Sequence, residues 1–313
     1  MRSASFSQDV LNQKIKETLD KHVWGTVGPE SKEAARSFAA LLGRDAALFC
    51  SSHAGAAETV LRALELCHGD EVILPAVCSP FLKEAVEAVG AKPVFCEVDE
   101  TLTMRAENLA FCRTDKTQAV FCEQSLGYVC NMPEIRRFTK EHDLPLIDVT
   151  SSPYATRFDD KPTAEYADIV LAALPVQNTG VLVTDEEFIG KLYAAHHCGN
   201  PYGHPGGLNT GVCLGGDMRI DEFRPTIIRY LITAADERRR QSNSLRIRIS
   251  EALLQNGAEL IPVREGADSS GEYILCRTSG KESCRDKAIR IPLRAYTEQG
   301  RIALSNAVAY TTL

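Results

Sequence analysis

Residues Ala46 to Leu74 read AALFCSSHAGAAETVLRALELCHGDEVIL, and this stretch decides the fold. Ala46-Ala47-Leu48-Phe49-Cys50 is an apolar run of strand length. The segment from Gly55 to Cys67 then places Val60, Leu61 and Leu64 on one helical face. Glu71-Val72-Ile73-Leu74 begins a second apolar run, so strand, helix and strand follow one another.

The same beat continues outward. Phe81 to Val89 reads as a helix, Pro93 to Val98 and Gln118 to Cys122 as strands, Pro133 to His142 as a helix opening on a favourable proline, and Pro145 to Asp148 as a strand. Ile169 to Ala172 and Val181 to Thr184 read as further strands, with a helix from Glu186 to about His197 after them. A Gly/Pro/His-rich loop covers Gly199 to Gly216, and a long helical stretch runs from about Asp221 to Gln255. Within it Glu237-Arg238-Arg239-Arg240 reads as a solvated face. The remainder offers a strand at Glu272 to Cys276, a polar loop around Ser279 to Lys287, a short strand at Ile289 to Leu293 and a closing helix. Apolar strands joined by helical crossovers predict an α/β fold, with a three-layer α/β/α large domain and a mostly parallel sheet over residues 1–220. Residues 221–313 are expected to form the long helix and a reduced α+β C-terminal domain.

Composition narrows the function classes. The chain has 313 residues, 44% of them hydrophobic and 25% charged, enough for one large domain and a smaller one. Its 35 Lys and Arg against 42 Asp and Glu give a net charge of -7, so no basic footprint for nucleic acid is present and none is expected as a partner. No stretch reaches the roughly 18 consecutive apolar residues of a membrane span, and the first residues lack a signal-like apolar run, so a cytoplasmic protein without membrane contact is expected. The 11 cysteines are scattered without a CxxC pair and read as small buried hydrophobes.

Several pieces stand in one order along the chain. They are Gly28-Pro29-Glu30, Ser51-Ser52, Gly69 to Pro75, Val89 to Phe95, Gly127 to Met132, His142 to Asp148, Gly180 to Thr184 and Gly216 to Glu222. In that order they resemble the DegT-like sugar aminotransferase family, fold type I enzymes that depend on pyridoxal phosphate (PLP) and aminate keto-sugars on nucleotide carriers. The resemblance runs over most of the chain and implies the family's fold and its dimer, whose active sites are built across a two-fold interface.

It also implies a set of cofactor contacts. An aspartate that keeps the pyridine nitrogen protonated falls at Asp148. The lysine whose amine condenses with the cofactor aldehyde should lie in a His-Pro-Thr-Lys loop. The matching stretch, Leu174-Pro175-Val176-Gln177-Asn178-Thr179-Gly180, is shorter and has no lysine, and the nearest lysines, Lys161 and Lys191, read as surface residues. The phosphate-cradling Ser-Gly-Thr turn reads Ser52-His53-Ala54. The ring-covering aromatic falls near Ser79, the His or Gln after the aspartate at Ser151, the serine before the lysine loop at Ala173, and the neighbouring subunit's Asn at Asp217. A carboxylate about 4 Å from a phosphate charge would cost up to about 4 kcal/mol at an effective dielectric near 20.

The expectation is therefore a degenerate member without the Schiff-base lysine. Its vestigial pocket comprises Asp148, Ser52, His53, Ala54, Ser151, Gln177 and Asp217, with no catalytic residue and no cofactor; PLP held noncovalently is the alternative. Asp148 alone can equally be a turn or helix cap. The segment His196 to His204 has imidazoles and a thiolate, but its spacing matches no zinc motif. Cys122-Glu123-Gln124 or Cys50-Ser51-Ser52-His53 would be a nucleophile only with a lowered thiol pKa. Two functions stay open. One is a non-transaminating binding or regulatory subunit of nucleotide-sugar or polysaccharide metabolism, a homodimer or the partner of an active paralogue, with a nucleotide-sugar ligand. The other is an enzyme of the same pathway that uses PLP noncovalently or runs different chemistry in the same pocket.

Overall fold

The computed structural model describes residues 8–22, 24, 28–174, 178–201, 211–233, 235–269, 273–278, 287–292 and 310–311. Helices α1 (Gln8–Asp20) and α2 (Pro29–Leu41) precede β1 (Ala46–Cys50), α3 (His53–Ala63), β2 (Glu71–Pro75), α4 (Pro80–Ala88) and β3 (Lys92–Cys96). The chain continues through α5 (Leu109–Cys112), β4 (Thr117–Glu123), α6 (Met132–Glu141) and β5 (Leu146–Thr150). Two short strands, β6 (Arg157–Phe158) and β7 (Lys161–Pro162), lead to β8 (Ile169–Ala173), β9 (Gly180–Thr184) and α7 (Glu186–His196). The last elements are α8 (Phe223–Ile232), α9 (Ala235–Gln255), β10 (Glu259–Leu260), β11 (Ala267–Asp268), β12 (Tyr273–Thr278), β13 (Lys287–Pro292) and β14 (Tyr310–Thr311).

A seven-stranded sheet with the order β1-β9-β8-β5-β4-β2-β3 forms the centre. The pairs β2–β3, β2–β4, β4–β5 and β5–β8 are parallel, and β8–β9 and β1–β9 are antiparallel. Every residue of β2, β5 and β9 is buried, as strands covered on both faces require. Alternation along the strands sorts the core into layers. Ile147 and Val149 of β5 pack with residues of α3, α4 and α7, while Leu146 packs with Met132 and Ile135 of α6. Phe38 of α2 and Ile228 of α8 join Val170 and Val181. Each such large side chain contributes about 1.5–3 kcal/mol on burial, so the three-layer α/β/α expectation holds.

A second sheet, β10-β12-β13-β14, and a three-stranded one, β11-β6-β7, complete the described strands. Through β11 the segment beyond residue 220 pairs with β6 ahead of it.

Differences from the sequence reading have local causes. Helix α3 ends at Ala63 rather than Cys67 because Glu65 turns left-handed at φ 60, with Leu66 N–H bonding back to Leu61 O at 3.1 Å. The long stretch from Asp221 divides into α8 and α9; Asp221 Oδ1 caps the first by accepting from Phe223 and Arg224 N–H at 2.8 and 2.9 Å. At its other end Thr233 Oγ1 donates to Tyr230 O at 2.7 Å, a local bond that competes with the helix ladder. In the arginine run Arg240 is exposed, whereas Arg239 pairs with Asp268 at 3.4 Å. The closing helix falls outside the described residues except at Tyr310–Thr311, which pair as a strand with β13. Cys50, Cys96, Cys122, Cys130 and Cys276 are buried; Cys67 and Cys198 are exposed, against expectation, and Cys284 lies outside the described residues.

Candidate active site

The parallel strands β2, β4, β5 and β8 end on one side of the sheet, where open α/β sheets place their ligands. Asp148, in β5, is fully buried and sits in register with Cys122 of β4 and Val170 of β8. Its Oδ1 accepts from Gln124 Nε2 at 2.7 Å. Its Oδ2 is buried with no hydrogen-bond partner among the described residues. Burial pushes the carboxyl up to about 6, with the Gln124 amide and the Thr163 hydroxyl working in the opposite direction. A helix or turn cap would have its oxygens on backbone N–H groups; Asp148 has instead the Gln124 amide on Oδ1, the Thr163 hydroxyl close by, and an Oδ2 that completes no hydrogen bond among the described residues.

Ser52 lies at the start of α3. Its extended backbone (φ -154, ψ 166) and side-chain acceptance from Gly55 N–H at 2.9 Å make it the N-cap. The first turn of this helix carries the partial positive charge that suits a phosphate. His53 turns its Nε2 to Leu174 O at 2.8 Å and packs its ring 5.4 Å from that of Phe81. A carbonyl only accepts, so Nε2 holds the proton, and burial lowers the imidazole's pKa and keeps it neutral. Ala54 is half-buried and its side chain brings no polar atom.

The β8–β9 connection ties these parts together. Ala173 pairs with Gly180, and Leu174 N–H donates to Thr179 O at 2.9 Å. A Cβ on Gly180 would stand 2.5 Å from Ala56 Cβ and 2.7 Å from Ser52 O, so only glycine lets β9 start this close to α3. Asp148 and Gly180, beside the start of α3, are thus two strand steps apart, about 10 Å across the sheet, and three residues, about another 10 Å, along it. Thr179 Oγ1, beside them, is buried with no partner among the described residues. Gln177 lies outside the described residues.

Asp217 differs from the sequence argument. It is exposed and held by both arms of Arg219 at 2.6 and 2.7 Å, which pulls its carboxyl down to about 2. The carboxylate's charge is already balanced within the chain, so the repulsion of up to about 4 kcal/mol expected for a bare carboxylate does not apply. Another cation stands at the same edge: Arg224 Nη1 donates to Ser51 O at 2.7 Å and its Nε to Asp221 at 2.6 Å.

Ser79 is the N-cap of α4 and donates from N–H and Oγ to Glu123 at 2.6 and 2.5 Å; it covers nothing as an aromatic would. Ser151 follows β5 and is half-buried. The arrangement adds Glu123 and Gln124, which the sequence reading met only as neighbours of Cys122. The available signal was two adjacent polar residues at the carboxyl end of an otherwise apolar strand. Cys50 is no nucleophile: burial pushes its thiol up to about 12, and the His53 Nε2 proton is engaged elsewhere. His196 uses Nε2 on Phe49 O at 3.0 Å, deep in the core.

The lysines divide simply. Lys161 and Lys191 are exposed, as are Lys16, Lys21, Lys32, Lys83, Lys92, Lys116 and Lys140, and Lys14 is half-buried against Glu17 at 2.5 Å. For a PLP-type ring the residues present would offer a buried carboxylate oxygen without a hydrogen-bond partner to its nitrogen and a capped helix start to its phosphate. The residues fit the group.

Three comparisons bear on this site. A family model described as the DegT/DnrJ/EryC1/StrS aminotransferase family matches residues 7–294. UDP-N-acetyl-3-dehydro-alpha-D-glucosamine 3-aminotransferase of Acidithiobacillus ferrooxidans is 28% identical over 229 residues, 68% of this chain and 60% of that protein. The chain thus spans about 60% of that relative's length. DesV of S. venezuelae superposes with a TM-score of 0.78 at 21% identity, covering 88% of this chain and 75% of that one. NtdA of Bacillus subtilis, solved with bound pyridoxamine phosphate (PMP), superposes with a TM-score of 0.74 at 21% identity, covering 86% and 63%. At these identities the structures establish the shared fold.

The expectation of no cofactor is corrected by these findings, since the aminotransferases of the matched family are PLP-dependent and one structural relative holds PMP. With the match running from residue 7 to residue 294 through the helix start, the buried aspartate and the shortened hairpin alike, this chain belongs to the DegT/DnrJ/EryC1/StrS aminotransferase family.

Proposed function

We propose that this chain binds the vitamin B6 phosphate cofactor without a covalent link, in its amine form, PMP, and acts on a keto-sugar carried by a nucleotide. The observation that carries the reading is the buried Asp148 with Oδ2 unpartnered among the described residues. When bound, the cofactor supplies an amino group and an electron-withdrawing ring. The amine form suits this pocket because it has no aldehyde to condense with a lysine. Asp148 accepts from the ring nitrogen, and the first turn of α3 beyond Ser52 receives the phosphate. The substrate class follows the sugar aminotransferase that the chain resembles at 28% identity. A homodimer is part of the proposal, as closed two-fold assemblies dominate among soluble oligomers.

A second reading keeps the pocket but assigns no transamination, making the chain a binding or regulatory subunit, alone or with an active paralogue. The lysine-free stretch Leu174 to Gly180 favours it.

Equilibrium dialysis of the purified chain against PMP, and against PLP with borohydride trapping and intact mass, tests both readings. Expected are PMP binding and no trapped mass. Binding of PMP with amino transfer to a nucleotide-linked keto-sugar supports the first reading, and binding without transfer the second. A trapped cofactor would sink noncovalent attachment, and absence of PMP binding would sink the pocket assignment.

A further inference from the structure

Gln124, just past the end of β4, is 1% exposed, and its side-chain polar contacts are all internal. Its Oε1 accepts from Cys130 N–H at 2.7 Å; its Nε2 donates to Asp148 Oδ1 at 2.7 Å and lies 3.2 Å from Met132 Sδ. A backbone N–H only donates, so the Cys130 amide fixes which end of Gln124 is oxygen and turns its NH2 toward the carboxylate. An unrestrained carboxylate presents two equivalent oxygens and swings about its last torsion. With Oδ1 held, Oδ2 is the oxygen left to meet a ligand, and its lone pairs have a set direction.

The choice of an amide has a further effect. An arginine or lysine at this place would neutralise Asp148 before any ligand arrived. Gln124 orients the carboxylate and, like the nearby Thr163 hydroxyl, brings no positive charge to it, so the best partner for Oδ2 is a cationic N–H donor such as a protonated pyridine nitrogen.

We propose that Gln124 is the positioning residue that aims Asp148 Oδ2 at the cofactor's ring nitrogen, so that the part of cofactor affinity that depends on this nitrogen depends on Gln124. The inference rests on reading the pocket as a PMP site.

The test compares affinities for PMP and for 1-deaza-PMP, in which a C–H replaces the ring nitrogen, in the wild-type chain, Gln124→Leu and the near-isosteric Gln124→Met. Dissociation constants come from dialysis, and melting curves report folding. The wild type is expected to prefer PMP over the deaza analogue by at least about tenfold, and the variants by less than about threefold, with affinity for the analogue nearly unchanged. General loosening of the pocket would weaken both ligands alike and leave the ratio where it was. If a folded variant, whether Leu or Met, keeps the wild-type ratio, the role assigned to Gln124 is wrong and the pocket reading stands. A wild-type chain that binds neither compound, or binds both equally, overturns the pocket reading and this inference with it.

Discussion

Replacing Asp148 by Asn should stabilise the ligand-free chain, and by an amount that depends on pH. Burial raises the carboxyl from 3.8 to about 6, so the folded chain holds the Asp148 proton more tightly than the unfolded chain does. This group's contribution is therefore fully favourable below pH 3.8, declines as pH rises, and is lost once pH passes about 6. The whole shift corresponds to about 3 kcal/mol, at 1.36 kcal/mol per pH unit. At about pH 7.5 the wild type bears nearly all of that cost, and at about pH 4.5 only about 1 kcal/mol of it. Asn does not titrate, and Gln124 can still donate to its carbonyl oxygen. Its NH2, placed where Oδ2 was, adds a cost that is the same at both pH values. The quantity to read is thus the change in the variant's advantage between the two conditions, about 2 kcal/mol. For 313 residues this is about 3 °C in melting temperature. Other titrating groups, among them buried His196, held down to about 4, occur in both proteins and cancel. Thermal melts of both chains without cofactor at the two pH values decide the matter. An advantage of Asn that is equal at both, or larger in acid, would refute the account of Asp148 as an under-compensated buried carboxylate.

Two further substitutions probe the other end of the pocket. Ser52→Ala removes the N-cap bond to Gly55 N–H and should lower stability by about 1 kcal/mol in urea unfolding; no change would mean that the cap is satisfied in another way. Gly180→Ala puts a Cβ 2.5 Å from Ala56 Cβ and 2.7 Å from a backbone oxygen, and should cost about 3 kcal/mol or more; Ala56→Gly should restore part of it, and a Gly180→Ala protein as stable as wild type would refute the close approach of β9 to α3.

The large sheet was legible because its strands are short apolar runs separated by helices of ordinary period, and because Asp148 interrupts one such run near its carboxyl end. Burial on both faces removes the alternating pattern but leaves length and flanking turns to mark Ile169 to Ala172 and Val181 to Thr184. What was not legible depends on contacts distant in sequence. Asp217 is the local exception: Arg219 is only two residues on, but neither lies in a helix or strand, so no periodicity announces that Nε and Nη2 of the guanidinium both meet the carboxylate. Gln124 looked like one polar residue beside a cysteine, and its meaning comes from a residue 24 positions away. Helix α2 shows the same limit: Glu222, fully buried, caps it across the chain, accepting from Gly28 and Glu30 N–H at 2.9 and 2.7 Å.

The balance of these terms bears on whether the pocket is a relic. Holding a charged Asp148 with one oxygen unpartnered destabilises the ligand-free chain at neutral pH by about 3 kcal/mol, a sizeable part of the 5–15 kcal/mol by which folded domains are stable. A neutral residue of similar volume would remove that cost by a single substitution, and stabilising changes of this size are easily reached where function does not oppose them. Gln124 makes the point sharper, because its fixed orientation maintains the carboxylate in the one state that is costly without a ligand and favourable with a cationic N–H donor. That no lysine stands between Leu174 and Gly180 does not weaken this argument, since a lysine serves covalent attachment and proton movement, whereas the role proposed for Asp148 and Gln124 concerns the ring nitrogen. A pair that costs stability without a ligand and gains from a cationic N–H donor is the pattern the proposed cofactor site requires, and an abandoned site gives no reason for keeping it.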